Sequence, residues 1–289
     1  MIKESIKNLI YPCYENLKTL INKERINVLW WKSHNWGDAL NPVLVQYLSG
    51  LKPFRVHKYI KNPKNEPIYT VIGSILDWVP LENNKILKNT VIWGTGFISE
   101  NGRLQGKPKQ ICAIRGPLSR ENILKTGISC PEIYGDPALL YSKIYRPDIS
   151  KKYKLGIIPH FVDKKNILLK KFEKNPEIKL IDIEGPINSV VDQVCSCKYI
   201  ASSSLHGIIV ADAYDIPALY IKLSENIIGE GFKFKDYFGS VGQSETKPLV
   251  ISKNTTEDDI YDGISKYKID INLNELLDAC PFNNRNILK

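Results

Sequence analysis

The residues best suited to chemistry in this chain lie in Ala201–Gly207, which reads Ala-Ser-Ser-Ser-Leu-His-Gly and leads into Ile-Ile-Val-Ala-Asp-Ala. A strand over 198–201, a tight turn and a short helix to Tyr214 would bring the Ser202, Ser203 and Ser204 hydroxyls and the His206 imidazole to one helix N-terminus. First-turn N–H groups there lack intrahelical partners and the helix dipole is positive, which suits a phosphate or carboxylate. A second polar set, Asn35, Asp38 and Asn41, follows the apolar run Ile26–Trp31. These three also fit plain turn formers and an N-cap. Arg115 ends a further apolar run, where its fork of donors suits a bidentate oxyanion contact or a structural salt bridge. Arg120, one turn further on, reads as a surface or structural residue, and Asp136, before a proline, as a turn residue.

The elements that must position these groups alternate along the chain. Strands are expected at 26–31, 69–72, 90–93 and 110–114, with helices over 36–48 and 117–125. Small residues (Gly73-Ser74, Gly94-Thr95-Gly96) close two of the strands and permit close backbone approach. Gly94-Thr95-Gly96 is not the dinucleotide fingerprint, so a nicotinamide cofactor is not supported. After a linker at 145–152 the alternation resumes: strands at 154–159, 178–183, 198–201, 218–221 and 249–252, helices at 164–174, 187–195, 257–266 and 273–279. His160 ends the first of these strands. Gly229–Phe238 reads as a mobile loop over the cleft or a plain surface loop. The fold class expected is α/β, with two Rossmann-like domains (1–146 and 147–289) whose strand ends face a common cleft. At 289 residues, two domains of about 140 each is the natural division. Ahead of the first strand, apolar residues from Ile2 to Ile21 recur at helical spacing around Pro12.

Composition narrows the function classes. The formal charge is +9, with 43% hydrophobic and 10% aromatic residues, enough for real cores. The excess is mostly lysine, which fits anionic substrates or an acidic membrane surface. No basic helix or nucleic-acid motif points to nucleic acid. The N-terminus shows no signal peptide, and no apolar run approaches the ~18 residues of a membrane span, so a cytoplasmic location is expected. Cys13, Cys112, Cys130, Cys195, Cys197 and Cys280 lack metal-ligand spacing and read as free thiols, and no metal is expected.

Taken in order, Asn-Trp-Gly-Asp-Ala-Leu-Asn (35–41), Gly-Ser (73–74), Trp-Gly-Thr-Gly (93–96), Arg-Gly-Pro-Leu-Ser (115–119), Tyr-Gly-Asp-Pro-Ala (134–138), Ser-Ser-Leu-His-Gly (203–207) and Lys-Phe-Lys-Asp-Tyr-Phe (233–238) resemble the polysaccharide pyruvyl transferase family. The resemblance runs from about residue 26 to 240. It implies a two-domain fold similar to the GT-B glycosyltransferases. It also implies transfer of the pyruvyl group of phosphoenolpyruvate onto two hydroxyls of one sugar, giving a cyclic ketal and phosphate, with no cofactor.

The implied acceptor is a sugar of a surface polysaccharide or its lipid-linked precursor, which allows peripheral association with the inner membrane face. On this reading Arg115, Ser202, Ser203, Ser204, Leu205, Gly207 and Lys233 bind the donor, and Asn35, Gly37, Asn41, Gly94 and Thr95 line the acceptor side. His206 is the acid or the phosphate contact, Asp38 the base, and His160 either a further residue facing the cleft or a structural one. Many members of the family carry arginine where this chain has Ser204, so Arg115, Lys222 or Lys233 would have to supply that charge. The alternatives are a nucleotide-sugar glycosyltransferase, for which Glu230 is the acidic candidate, and a non-catalytic basic carbohydrate- or membrane-binding module.

Overall fold

The computed structural model describes residues 25–56, 65–78, 81, 84–229, 231–264 and 267–282. The expected N-terminal helix, Cys13 and Glu230 lie outside them. The first half forms β1 (Arg25–Val28), α1 (Trp36–Ser49), β2 (Lys52–Arg55), β3 (Ile68–Thr70), α2 (Asn84–Leu87), β4 (Thr90–Trp93), β5 (Gln110–Ala113), α3 (Pro117–Leu124) and a 3-10 helix at Pro137–Lys143. The second forms β6 (Tyr153–Ile158), β7 (Ile178–Leu180), α4 (Ile187–Cys195), β8 (Cys197–Ser202), α5 (Leu205–Ala213), β9 (Ala218–Lys222), α6 (Phe232–Ser240), β10 (Leu249–Val250), α7 (Glu257–Ile264) and α8 (Leu273–Asp278).

Both sheets are five-stranded and every pairing in them is parallel. Their orders, β2-β1-β3-β4-β5 and β7-β6-β8-β9-β10, are the same order used twice. In such sheets the strand order reverses beside the first strand, and ligands bind outside the carboxyl ends at that switch point. In the first sheet the point lies between β1 and β3, in the second between β6 and β8. The four loops that leave these ends carry Ser33–Asp38, Gly73-Ser74, His160 and Ser203–His206. The α/β class is therefore observed.

Local sequence explains the central elements. All four residues of β4, Thr-Val-Ile-Trp, are buried, as in a strand covered on both faces. In α5 every residue but His206 is buried, so this helix runs inside the protein rather than along its surface. Helix α1 starts at Asn35, whose Oδ1 accepts the Gly37 N–H, and stops at Gly50, which takes the left-handed conformation (φ 71°). Pro42 lies inside α1 and brings no N–H to the Asp38 carbonyl. Asn41 Nδ2 donates to that carbonyl instead, at 3.2 Å, while its amide also spans to Ile72.

One apolar cluster joins Val28, Val71 and Trp93 of the first half to Ile158, Val190 and Ile208 of the second. Each such fully buried side chain contributes roughly 1.5–3 kcal/mol. The Trp36 N–H donates to the Ile183 carbonyl, and the Tyr141 and Tyr145 hydroxyls donate to Asn188 and Asp192. The chain crosses back twice. Helix α6 packs on α3, and the Trp93 indole N–H donates to the Leu276 carbonyl while Phe282 lies on Tyr69 and Trp93.

The structure corrects three expectations. Residues 164–174 form no α-helix: 3-10 turns at Phe161–Asp163 and Ile167–Lys171 take their place, with the Asn166 side chain capping the second. The expected loop over 229–238 is largely helix α6, held by burial of Phe232, Phe234, Tyr237 and Phe238. Several strands are shorter than read; β1 stops at Val28 and β7 at Leu180. Cys112, Cys130 and Cys197 are buried free thiols, Cys195 is a half-buried one, and Cys280 is buried. Among the described residues no group of His, Cys, Asp and Glu is placed to hold a metal, and no helix is long and apolar enough to cross a membrane.

Candidate functional site

The two switch points meet. At the end of β1 the Ser33 hydroxyl donates to Asp38 Oδ2 at 2.7 Å. From the other half, His206 enters at the start of α5 with Nδ1 2.5 Å from Asn35 Oδ1. That oxygen already accepts the Gly37 N–H, which assigns the ring proton to Nδ1 and leaves the lone pair on Nε2. Gly37 makes the approach possible: a Cβ there would stand 2.3 Å from His206 Cδ2.

Burial, then the charges of Lys233, Arg115 and His160, lower the His206 pKa to about 3, so the ring is neutral. Burial and Lys233 likewise lower His160 to about 4. Its Nδ1 accepts the Val162 N–H, which puts the proton on Nε2. Asp38 moves the other way. Burial raises it to about 6 against the pull of Ser33 and Lys233. Asp136 is raised to about 7 by burial, with Ala138 N–H and Arg115 opposing, and its Oδ2 is buried without a hydrogen bond among the described residues.

Lys233 is the second residue of α6, at the positive end of that helix, where a cation is disfavoured. Burial and the neighbouring Arg115 lower it to about 8. Among the described residues it forms no ion pair. Arg115 is fully buried. Its Nε donates to Asp236 Oδ2 at 2.9 Å and Nη2 to the Phe97 carbonyl at 2.7 Å, while Nη1 reaches the Ser74 hydroxyl. Asp236 takes two more hydrogen bonds from Ser119, N–H and hydroxyl. The pair therefore ties α6 to the first half, and only the Nη1 end beside Ser74 remains to turn toward a ligand.

The other candidates are spread between this cluster and the scaffold around it. The Ser202 hydroxyl bonds the Ile158 and Ser204 carbonyls, and the Ser203 hydroxyl accepts the His160 N–H and donates to Asp163. Both hydroxyls are spent fastening β8 to β6. Ser204 is the N-cap residue of α5, but its side chain does not cap the helix. Leu205 is core, and Gly207 is needed because a Cβ would meet Ser202 Oγ at 2.2 Å. Asn41 is occupied within α1 and with Ile72. Gly94, at φ +84°, packs on Pro137, and the buried Thr95 hydroxyl donates to the Gly73 carbonyl at 2.5 Å. Lys222 pairs instead with Glu225, and Arg120 with Glu132.

Sequence reasoning did not single out Ser33 and Asp236, which hold the two central charged groups. Asp236 was visible only as part of Lys-Phe-Lys-Asp-Tyr-Phe. A separate cavity of about 640 Å³ lies at the amino ends of β3–β5 under residues 278–282, at the opposite strand edge from the cluster.

Residues 35–225 match the polysaccharide pyruvyl transferase family. An uncharacterized protein of Acanthamoeba polyphaga mimivirus is 31% identical over 219 residues, covering 73% of this chain and 72% of that protein. The succinoglycan biosynthesis protein ExoV of Rhizobium meliloti (strain 1021) is 25% identical over 254 residues, covering 85% of this chain and 74% of that protein. No solved structure matches.

Proposed function

The chain belongs to the polysaccharide pyruvyl transferase family, and from that premise we propose that it transfers the pyruvyl group of phosphoenolpyruvate onto two hydroxyls of one sugar in a polysaccharide or its lipid-linked precursor. The observation that carries the donor is Lys233. A partly buried lysine without an ion pair among the described residues, set beside Arg115 and two neutral histidines, is a site whose positive charge Asp38 offsets only in part and which calls for a further anion. A phosphate and a carboxylate supply that anion, and the open first turn of α5 supplies backbone donors. Lys233 is also the cation that stands in for arginine at Ser204.

The reaction needs a proton on the methylene carbon of phosphoenolpyruvate, attack of one sugar hydroxyl at the central carbon, loss of phosphate, and closure by the second hydroxyl. Two hydroxyl protons are released; one ends in the new methyl group and one on phosphate. Asp38, held near 6, exchanges protons close to neutral pH and serves the carbon and the acceptor hydroxyl in turn. His206 Nε2, a lone-pair acceptor in the free protein, gains its proton when the bound phosphate outweighs burial and the charges of Lys233 and Arg115, and then holds the phosphate as a donor.

The Lys-rich surface, with a formal charge of +9, supports presentation of the acceptor at an anionic membrane face in the cytoplasm. The test is phosphate release from phosphoenolpyruvate across a panel of synthetic and lipid-linked glycans, with product mass. A gain of pyruvate less water is expected, with no dependence on added metal. Phosphate release without a change in glycan mass, or stabilisation by nucleotide sugars but not by phosphoenolpyruvate, refutes the proposal.

A further inference from the structure

The loop that leaves β1 carries two tryptophans that face opposite ways. Trp30 packs into the shared core, while Trp31 is 51% exposed, as side-chain alternation past the end of a strand requires. Behind Trp31 stands Trp78, from the loop after β3, with ring centroids 5.4 Å apart and planes at 73°. Trp78 is itself packed against the second apolar cluster of the first half. The exposed indole therefore has a fixed support, and about half of its surface stays open to solvent.

Its position gives that surface a purpose. Trp31 lies two residues before Ser33, a backbone distance of at most about 7 Å, and the Ser33 hydroxyl holds Asp38. Trp78 lies four residues after Ser74, the partner of Arg115 Nη1. Both indoles thus stand on the two loops that flank the first switch point. The second half answers with Phe161, 47% exposed, leaning on His160 with ring centroids 4.3 Å apart.

We propose that Trp31, buttressed by Trp78, is the stacking platform for a pyranose ring of the acceptor glycan, holding it beside Asp38. This rests on the pyruvyl transfer reading for the identity of the ligand. The chemistry is that of a flat, polarisable π face against the axial C–H groups of a sugar ring, whose hydroxyls point outward into water or toward polar side chains. An indole provides that surface at little cost in side-chain freedom.

The test is saturation-transfer NMR on the full chain with methyl β-D-glucopyranoside, methyl β-D-galactopyranoside and cellotetraose, with acyclic sorbitol as control. Wild type is expected to saturate the axial ring protons of at least one pyranoside and to leave sorbitol dark. Trp31→Ala is expected to weaken that sugar at least tenfold, Trp31→Phe to retain most of the binding, and Trp78→Ala to fall between. Stabilisation by phosphoenolpyruvate is expected to be equal in wild type and Trp31→Ala, which also shows that the variant is folded. Equal sugar binding by Trp31→Ala, or no pyranoside signal in wild type, overturns the platform. Loss of the phosphoenolpyruvate effect in wild type would instead overturn the donor reading and leave the sugar contact standing.

Discussion

Gly37→Ala isolates the contact between the two halves at His206. Gly37 is the second residue of α1 and has no positive φ. Alanine is thus allowed by the backbone and favoured by up to about 1 kcal/mol in a helix. The new methyl, however, would lie 2.3 Å from His206 Cδ2 and 2.4 Å from Cγ and Nε2. Carbon atoms rest about 3.5–4.0 Å apart, so the ring or the helix must retreat by roughly 1 Å or more. The 2.5 Å bond to Asn35 is then lost or re-aimed.

Overpacking of this kind costs about 1–3 kcal/mol, leaving a net loss of up to about 2 kcal/mol after the helix gain. A 1 Å misplacement of a working group lowers turnover about 10²-fold. The assays are urea unfolding and phosphate release from phosphoenolpyruvate. In the His206→Ala background the methyl meets no ring, so the stability cost of Gly37→Ala should vanish, giving a coupling of about 1–3 kcal/mol. Near-wild-type turnover by Gly37→Ala, or an equal stability cost in both backgrounds, would show that His206 does not press on Gly37.

Other variants probe the charges. Asp236→Asn leaves the buried Arg115 guanidinium uncompensated and should cost about 3–5 kcal/mol in urea unfolding; a loss under 1 kcal/mol would mean the pair is not buried as described. Lys233→Met should raise the titration midpoints of both His206 and His160, followed by their ring C–H resonances in NMR, and abolish stabilisation by phosphoenolpyruvate. Unmoved histidines would place Lys233 elsewhere. Asp212 accepts hydrogen bonds from Tyr237 and Tyr267, and burial raises its pKa from 3.8 to about 7. A raised carboxyl contributes stability that is complete below about pH 4 and is lost as the pH climbs through 7. The stability lead of wild type over Asp212→Asn should therefore shrink between pH 4 and 7, and a lead that grows over that range contradicts the assignment.

Much of the scaffold was legible because buried parallel strands are written as apolar runs. Val-Ile-Trp before Gly94 and Tyr-Ile-Ala before Ser202 announce themselves, and each gives way at once to small or polar residues. β2 was not legible: Lys-Pro-Phe-Arg is partly exposed and polar, and its proline is tolerated only because it sits in an edge strand. Helix α6 hid behind Phe-Lys-Phe-Lys, which has the period of a strand. Its aromatic residues bury through contacts with distant elements, such as Tyr220 stacked on Phe234 at 4.0 Å. The site divides the same way. That His206 begins a helix follows from local pattern, but that its ring rests on Gly37 depends on how two sheets dock. Arg115 was visible as a charged strand end, whereas its partner Asp236 lies 121 residues further on, beyond the reach of any local signal.

The return of the C-terminal segment to the first sheet bears on how the chain is made. Trp93 waits for the Leu276 carbonyl, and Tyr69 and Trp93 for Phe282. During vectorial synthesis at about 5–20 residues per second, the first sheet leaves the ribosome on the order of ten seconds before the segment that covers it. Over that interval its indole and phenol faces are open to solvent, to chaperones and to other nascent chains. Completion of the first sheet is thereby deferred until residues 276–282 have been made.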